Sequence, residues 1–221
     1  MEGRKMSCTA DQFVNAAQKF VGYNEFDGSY LAILDIYNSH KPLARGYKMR
    51  SGDSWCDCFV SAIAIKSNSV DIIGTEVSCE RHRDIFINKG IWRQNNSITP
   101  QKGDIVIYTW DNYSSPVNNG YPCHIGIVEK VKDRIVTTIE GNFRDAVGRR
   151  EYSVGWGYVL GYARPKFAAV VNAQKEEKRK IALAVIRGDY GNGDARVQNL
   201  KKAGYDPAEI QQIVNDILRG N

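Results

Sequence analysis

The sequence predicts an α+β fold: helices first, an antiparallel sheet after them, and a small all-helical unit at the end. Three observations carry this. Apolar residues recur at helical spacing in the N-terminal part. Between Gly90 and Arg164 the texture changes to β-rich runs separated by turn residues. From Lys178 to Leu218 the pattern is helical alone.

The elements follow in order. Thr9 is a plausible N-cap, and Ala10 to Val21 places Phe13, Ala16, Ala17 and Phe20 on one helical face before Gly22 ends it. Tyr30 to Tyr37 is a second short helix, with Pro42 closing the loop after it. A polar turn (Ser51, Gly52, Asp53) then leads into Ser54-Trp-Cys-Asp-Cys-Phe-Val-Ser-Ala62. This is the start of a helix from near Cys56 to about Lys66, with Phe59, Val60, Ile63 and Ala64 facing a core. The strands are Asp104 to Trp110, Ile125 to Val131, Arg134 to Glu140 and Val159 to Ala163, the last stopped by Pro165. Val131-Lys-Asp-Arg134 reads as a hairpin connection. Beyond it, Gly188 to Gly193 and Gly204 to Pro207 divide the terminal segment into three helices. Their apolar positions are Ile181, Val185, Ile186, Val197, Leu200, Ala203, Ile210, Val214, Ile217 and Leu218. The reading gives a domain over residues 1–166, a linker at 167–177 and a helical module at 178–221.

Composition is that of an ordinary globular chain: 221 residues, 43% hydrophobic and 25% charged, which allows one large domain or a medium one with an appendage. The formal charge of +5 suits an anionic surface. No basic run has the density of a nucleic-acid arm, since Lys175 to Lys180 is interleaved with Glu176 and Glu177; nucleic acid is not an expected partner. Met1 to Cys8 is charged without an apolar stretch behind it, and no run is long enough to span a bilayer. A chain without a signal peptide, made and left in the cytoplasm and not inserted in membrane, is expected. Five cysteines (Cys8, Cys56, Cys58, Cys79, Cys123) in such a chain argue against a disulfide scaffold.

Cys56 is the first chemical candidate. At the first turn of a helix, unsatisfied backbone N–H groups and the helix dipole favour an anion, so thiolate is stabilised. A nucleophilic cysteine needs a base and an orienting group. Of three histidines, His40 lies in a loop, and His82, within Glu80-Arg-His-Arg83, reads as solvated. His124 opens a strand. Glu140 closes the neighbouring strand, just before Gly141-Asn142. Antiparallel neighbours joined by a short turn bring their far ends together, so His124 and Glu140 should meet. Asn142 is a further candidate for orienting the ring or the substrate.

At these residues the sequence resembles the cysteine, histidine-dependent amidohydrolase/peptidase (CHAP) family of the papain-like superfamily. The matching pieces are Trp55-Cys56-Asp57-Cys58-Phe59-Val60-Ser61, Pro100-Gln-Lys-Gly-Asp104, His124-Ile-Gly-Ile-Val128 and Ile139-Glu140-Gly-Asn142, across about residues 8–166. The resemblance implies a papain-like fold and catalytic roles for Cys56, His124, Glu140 and Asn142. Cys58 lies about 200° further around the helix, so both thiols cannot face His124. The implied chemistry is acyl transfer from an amide, with no cofactor. Some members carry an Asp-rich calcium loop before the nucleophile; Arg45 to Asp53 lacks that density, and no metal is expected.

The terminal segment, Ile186-Arg-Gly-Asp-Tyr-Gly-Asn-Gly-Asp-Ala-Arg196 with Leu200, Ala203-Gly-Tyr-Asp206 and Ile210 to Asn215, resembles the cell-wall-binding CW-seven repeat. That implies a three-helix module for the glycan–dipeptide part of peptidoglycan, with Asp189, Tyr190, Asn192, Arg196, Asp206 and Gln211 as the contact residues. The alternative from the residues alone is a helix-terminating turn at Gly191 to Gly193 with Arg196 solvated. One copy forgoes the avidity of tandem repeats, so modest binding is expected.

Together the resemblances imply a phage-type endolysin with bacterial peptidoglycan as its partner, cutting it as an N-acetylmuramoyl-L-alanine amidase or an endopeptidase. A tail-associated or host wall-remodelling hydrolase is the alternative on the same fold. A zinc protein using Cys56, Cys58, Cys123 and His124 is the alternative from another class, with an unusual ligand spacing. The loop Asp111 to Pro122 is a candidate for bond selection and carries no readable code.

Overall fold

The computed structural model describes residues 8–110 and 120–219, with only the backbone described at 170–173. The expected selecting loop lies mostly outside the described residues. The α+β class is what the structure has. The chain divides into two compact units, one ending at Phe167 and the other starting at Ala168.

In the first unit, α1 (Ala10–Gln18) starts on a capping box, the Thr9 hydroxyl accepting from the Gln12 N–H while the Gln12 side chain accepts from that of Thr9. It is shorter than the sequence suggests: residues 19–22 turn away, ending at Gly22 (φ 95°). Next come α2 (Leu31–Ser39), α3 (Cys56–Lys66), α4 (Val70–Ile73) and α5 (Cys79–Asn88). The limits of α3 are the expected ones. Its burial is wider: every residue from Cys56 to Ala64 is buried, because the helix packs on α2 and on the sheet.

The six-stranded sheet is antiparallel throughout. It comprises β1 (Trp92–Arg93), β2 (Ile105–Tyr108), β3 (His124–Lys132), β4 (Ile135–Glu140), β5 (Gly148–Ser153) and β6 (Val159–Ala163), in the order β1-β6-β2-β3-β4-β5. Strands β2 to β5 form the meander; β6 returns to lie between β1 and β2. Asp133 and Arg134 (φ 50° and 62°) make the tight β3–β4 turn whose backbone twist suits a two-residue hairpin. One sheet face carries Ile105, Ile107, Ile125, Ile127 and Ile139 into the helix-side core. The other carries Val106, Tyr108, Val128, Tyr152 and Tyr162 into a smaller, aromatic cluster.

The second unit is three helices, α6 (Val170–Arg187), α7 (Gly193–Lys202) and α8 (Pro207–Leu218), around Ala182, Val185, Leu200, Ile210 and Val214. The breaks fall at the expected glycines; Gly188 caps α6 in the left-handed region (φ 91°). Two readings change. The segment at 167–177 is not an open linker, since α6 already runs through most of it. Its Gln174, Lys175, Glu176 and Glu177 are good helix formers, and polarity alone does not distinguish them from a linker. Ile186, Val197, Ala203 and Leu218 are exposed rather than core, because three short helices enclose only a narrow seam.

Candidate active site

Trp55 fixes where α3 begins. Its ring is fully buried, lies 5.5 Å from the ring of Tyr30, and donates its indole N–H to Glu25 Oε1 at 2.8 Å. The next residue, Cys56, is the first of α3 and 7% exposed. Backbone N–H groups in this first turn have no intrahelical acceptor and point towards the thiol end of the helix.

His124 opens β3, opposite Tyr108 of β2. In the β3–β4 register Ile127 faces Ile139, which puts Glu140 across from Gly126 and diagonal to His124 on the same face. Gly126 is what lets the carboxylate reach the imidazole: a Cβ there would stand 2.7 Å from Glu140 Cγ. His124 Nε2 and Glu140 Oε2 are 2.9 Å apart, which leaves Nδ1 for the thiol. Glu140, fully buried, also accepts from Tyr108 Oη (2.7 Å), Thr138 Oγ1 (2.6 Å) and Arg150 Nε (3.0 Å). Arg150 lies with its guanidinium 4.3 Å from the Phe143 ring centre and 5.2 Å from that of Trp110. Gly126→Ala is expected to displace the Glu140 side chain at a cost of about 1–3 kcal/mol. Thermal denaturation together with an activity assay checks this; an active, equally stable variant would show that the carboxylate needs no such clearance.

The electrostatics follow from these contacts. A hydrogen bond from Cys79, whose Sγ lies 3.7 Å from that of Cys56, and the charge and hydrogen bonding of His124 outweigh burial and lower the Cys56 thiol to about 6. Burial alone would depress His124, but Cys56 and Glu140 raise it to about 9. Burial would also raise Glu140; His124, Arg150 and Thr138 hold it below the usual carboxylate range. Between about pH 6 and 9 the pair is therefore thiolate and imidazolium. The sign on each limb is fixed: below the lower value the thiolate is protonated, and above the upper one the imidazole has no proton for a leaving group. A bell-shaped rate profile with limbs near those values is expected, and Cys79→Ala should move the acid limb upward. An unmoved limb would mean that the Cys79 hydrogen bond does not tune the Cys56 thiol.

Asn142 sits just past β4 in the left-handed region (φ 53°). It lines a cleft of about 380 Å³ together with Trp110, His124, Phe143, Arg150, Trp156 and Tyr158. The Nε2 bond of His124 goes to Glu140 and not to Asn142. Cys58 is fully enclosed in the core, and burial pushes its thiol up. Cys123 Sγ accepts from the Trp110 N–H at 2.9 Å. Among the described residues no group of three or more His, Cys, Asp or Glu side chains is placed to hold a metal, so the four residues of the zinc alternative do not form a ligand set.

His82 overturns its sequence reading. It is fully buried, not solvated: Nδ1 lies 2.5 Å from Asp57 Oδ1, and the ring stacks 4.5 Å from that of Phe86. Asp57, which follows Cys56 in α3, provides the partner that burial of an imidazole requires. Cys79, Tyr108, Arg150 and the Asp57–His82 pair are the site residues that sequence reasoning passed over.

In the helical unit three of the six candidate wall-contact residues come together. Arg196 donates from Nε to the Gly191 carbonyl (3.2 Å), from Nη1 to Gln211 Oε1 (3.1 Å) and from Nη2 to Asn192 Oδ1 (3.2 Å). Asp189 instead pairs with Arg187 (2.9 Å), and Asp206 caps α8 by accepting from the Ala208 N–H (2.9 Å). Tyr190 packs partly buried against the small core.

Comparison with known proteins agrees with both halves. The CHAP domain family model matches residues 46–142, and the CW_7 repeat model matches residues 179–218. Among solved structures the chain is similar to Ly7917 with the hydrolyzing product of MDP, at 19% identity, covering 71% of this chain and 63% of that one, with a TM-score of 0.38. It is likewise similar to Ly7917 alone, at 20% identity over 71% and 62% of the two chains, again with a TM-score of 0.38. The chain thus spans less than two thirds of the length of those structures. No curated protein matches it. By the family matches, the chain carries a CHAP domain and, after it, a CW_7 repeat.

Proposed function

We propose that this protein is a peptidoglycan hydrolase of the endolysin type that cuts an amide bond through a Cys56 acyl-enzyme. The observation that carries the reading is the chain of contacts from the helix-start thiol of Cys56 through His124 to the buried, fourfold hydrogen-bonded Glu140. That arrangement keeps a thiolate and an imidazolium together at neutral pH, which is what acyl transfer from an amide needs.

Cys56 attacks the amide carbonyl, and the N–H groups at the start of α3 stabilise the oxyanion. His124 protonates the leaving amine and then draws a proton from water to release the acyl group. Glu140 holds the ring through Nε2, so Nδ1 is the atom that exchanges the proton. Asn142 and the aromatic side chains of the cleft hold the substrate. The CW_7 repeat supports peptidoglycan as the partner, with the Asn192–Arg196–Gln211 cluster at its contact surface and Asp189, Tyr190 and Asp206 around it. No helix among the described residues is long and apolar enough to cross a membrane.

The test is digestion of purified sacculi followed by mass spectrometry of the released fragments. Stem peptides freed from muramic acid make the enzyme an amidase; new ends within the peptides make it an endopeptidase. Release of reducing sugar ends with the peptides intact would overturn the proposal.

The module has its own expected result. Residues 168–221 alone should sediment with peptidoglycan stripped of anionic polymers, and Arg196→Ala should weaken this about tenfold, since the loss of Arg196 frees Asn192 and Gln211 together. Retention only on unstripped walls, abolished by salt, would reduce the interaction to charge attraction.

A further inference from the structure

Cys79 takes no part in the acyl-transfer steps, yet its sulfur is the one held against the nucleophile. Cys56 and Cys79 are the first residues of α3 and α5, both are 7% exposed, and their Sγ atoms are 3.7 Å apart. The approach is braced one residue further along α3 and three along α5, where Asp57 and His82 meet at 2.5 Å inside the core. The remaining thiols are committed elsewhere. Cys8 donates to the Thr9 carbonyl, Cys58 is enclosed in the core, and Cys123 accepts from the Trp110 backbone.

We propose that Cys79 is a resolving thiol: under hydroperoxide the nucleophile Cys56 and Cys79 form a reversible disulfide that switches the enzyme off and protects the nucleophile from irreversible oxidation. The two sulfurs need to close from 3.7 Å to about 2.0 Å, a distance within reach of side-chain rotation.

The chemistry balances in two steps. The Cys56 thiolate attacks one peroxide oxygen; the S–O bond forms, the O–O bond breaks, and the departing hydroxide takes a proton from the His124 imidazolium to become water. Cys56 is now a sulfenic acid, oxidised by two electrons, and the peroxide is reduced. Cys79 sulfur then attacks Cys56 sulfur; the S–S bond forms, the S–O bond breaks, and hydroxide leaves with the Cys79 proton as a second water. A dithiol returns two electrons and two protons and restores both thiols. The lowered thiol of Cys56 supplies the thiolate that the first step requires.

The test uses the full chain. Protein is exposed to a small excess of hydrogen peroxide, free thiols are blocked, and peptides are mapped by mass spectrometry without reduction. Wild type should yield a Cys56–Cys79 cross-linked peptide, lose at least about tenfold in rate, and recover on treatment with dithiothreitol. A Cys58→Ser background assigns the cross-link, since Cys58 shares a peptide with Cys56. Cys79→Ser, compared with its own untreated rate, should lose activity without recovery and accumulate Cys56 sulfinic acid. Absence of the cross-link in wild type, or full dithiothreitol recovery in Cys79→Ser, would overturn the proposal. The rate readout rests on Cys56 being the nucleophile, but the cross-link is read without any substrate, so the two claims fail separately.

Discussion

Cys56→Ala should lower sacculus hydrolysis by at least about 10⁴-fold while leaving the melting temperature close to that of wild type. In the proposed mechanism the thiol supplies the bond-forming atom, and no neighbour can replace it: Cys79 is kept protonated by its hydrogen bond to Cys56, and Cys58 is sealed in the core. The paired control is Cys58→Ser. It should keep most activity and lose stability instead, by about 1–3 kcal/mol, because a hydroxyl replaces a thiol in an apolar setting. Lysis rates and thermal denaturation of the two variants separate these effects. Loss of activity confined to the Cys58 variant would move the nucleophile two residues along the helix.

His124→Ala should be comparably damaging, by about 10⁶-fold, and Glu140→Gln should retain a trace, about 10⁴-fold below wild type. The difference is one of role. Without the imidazole no group protonates the leaving amine; with an amide in place of the Glu140 carboxylate the ring remains but loses the charge that stabilises its protonated form. The amide also cannot accept from Tyr108, Thr138, Arg150 and His124 at once, so the network around it loosens. Alkylation of Cys56 near neutral pH should slow in His124→Ala, since the thiolate loses its cation. Equal alkylation rates in wild type and variant would dissolve the thiolate–imidazolium pair as an explanation.

What could be read from the sequence was what local chemistry decides. The start of α3 follows a Gly-containing turn and the β3–β4 hairpin has turn residues between alternating apolar runs, so both were legible. Strand β5, Gly148-Arg-Arg-Glu-Tyr-Ser153, was not: it is an edge strand whose outward positions are charged, and its register comes from pairing with β4. With β5 unread, the Arg150–Glu140 contact had no basis. Helix α5 hid for a related reason. Its inner face is Cys79, His82 and Phe86, and a histidine in an apolar slot is tolerated only because Asp57, far back in the chain, meets it. Of the helical module, the breaks at glycine were local and readable; which polar residues meet Arg196 depended on how α7 and α8 pack.

The bulge near Glu129 makes the active centre a counter of strand register. It lies between Val128 and Lys130 on β3, and the pairing beyond it sets Ile127 against Ile139. Had the hairpin zipped up without it, every side chain after that point would sit on the opposite face, and His124 and Glu140 would be separated by the sheet. A refolding chain can thus regain its helices and much of its compactness while hydrolysis stays at zero. The return of activity after dilution from denaturant should therefore lag behind far-ultraviolet circular dichroism, timing the moment at which the hairpin finds its correct offset. Deleting Glu129 removes the surplus residue and keeps Ile127 against Ile139, so in that variant hydrolysis should return in step with the helix signal.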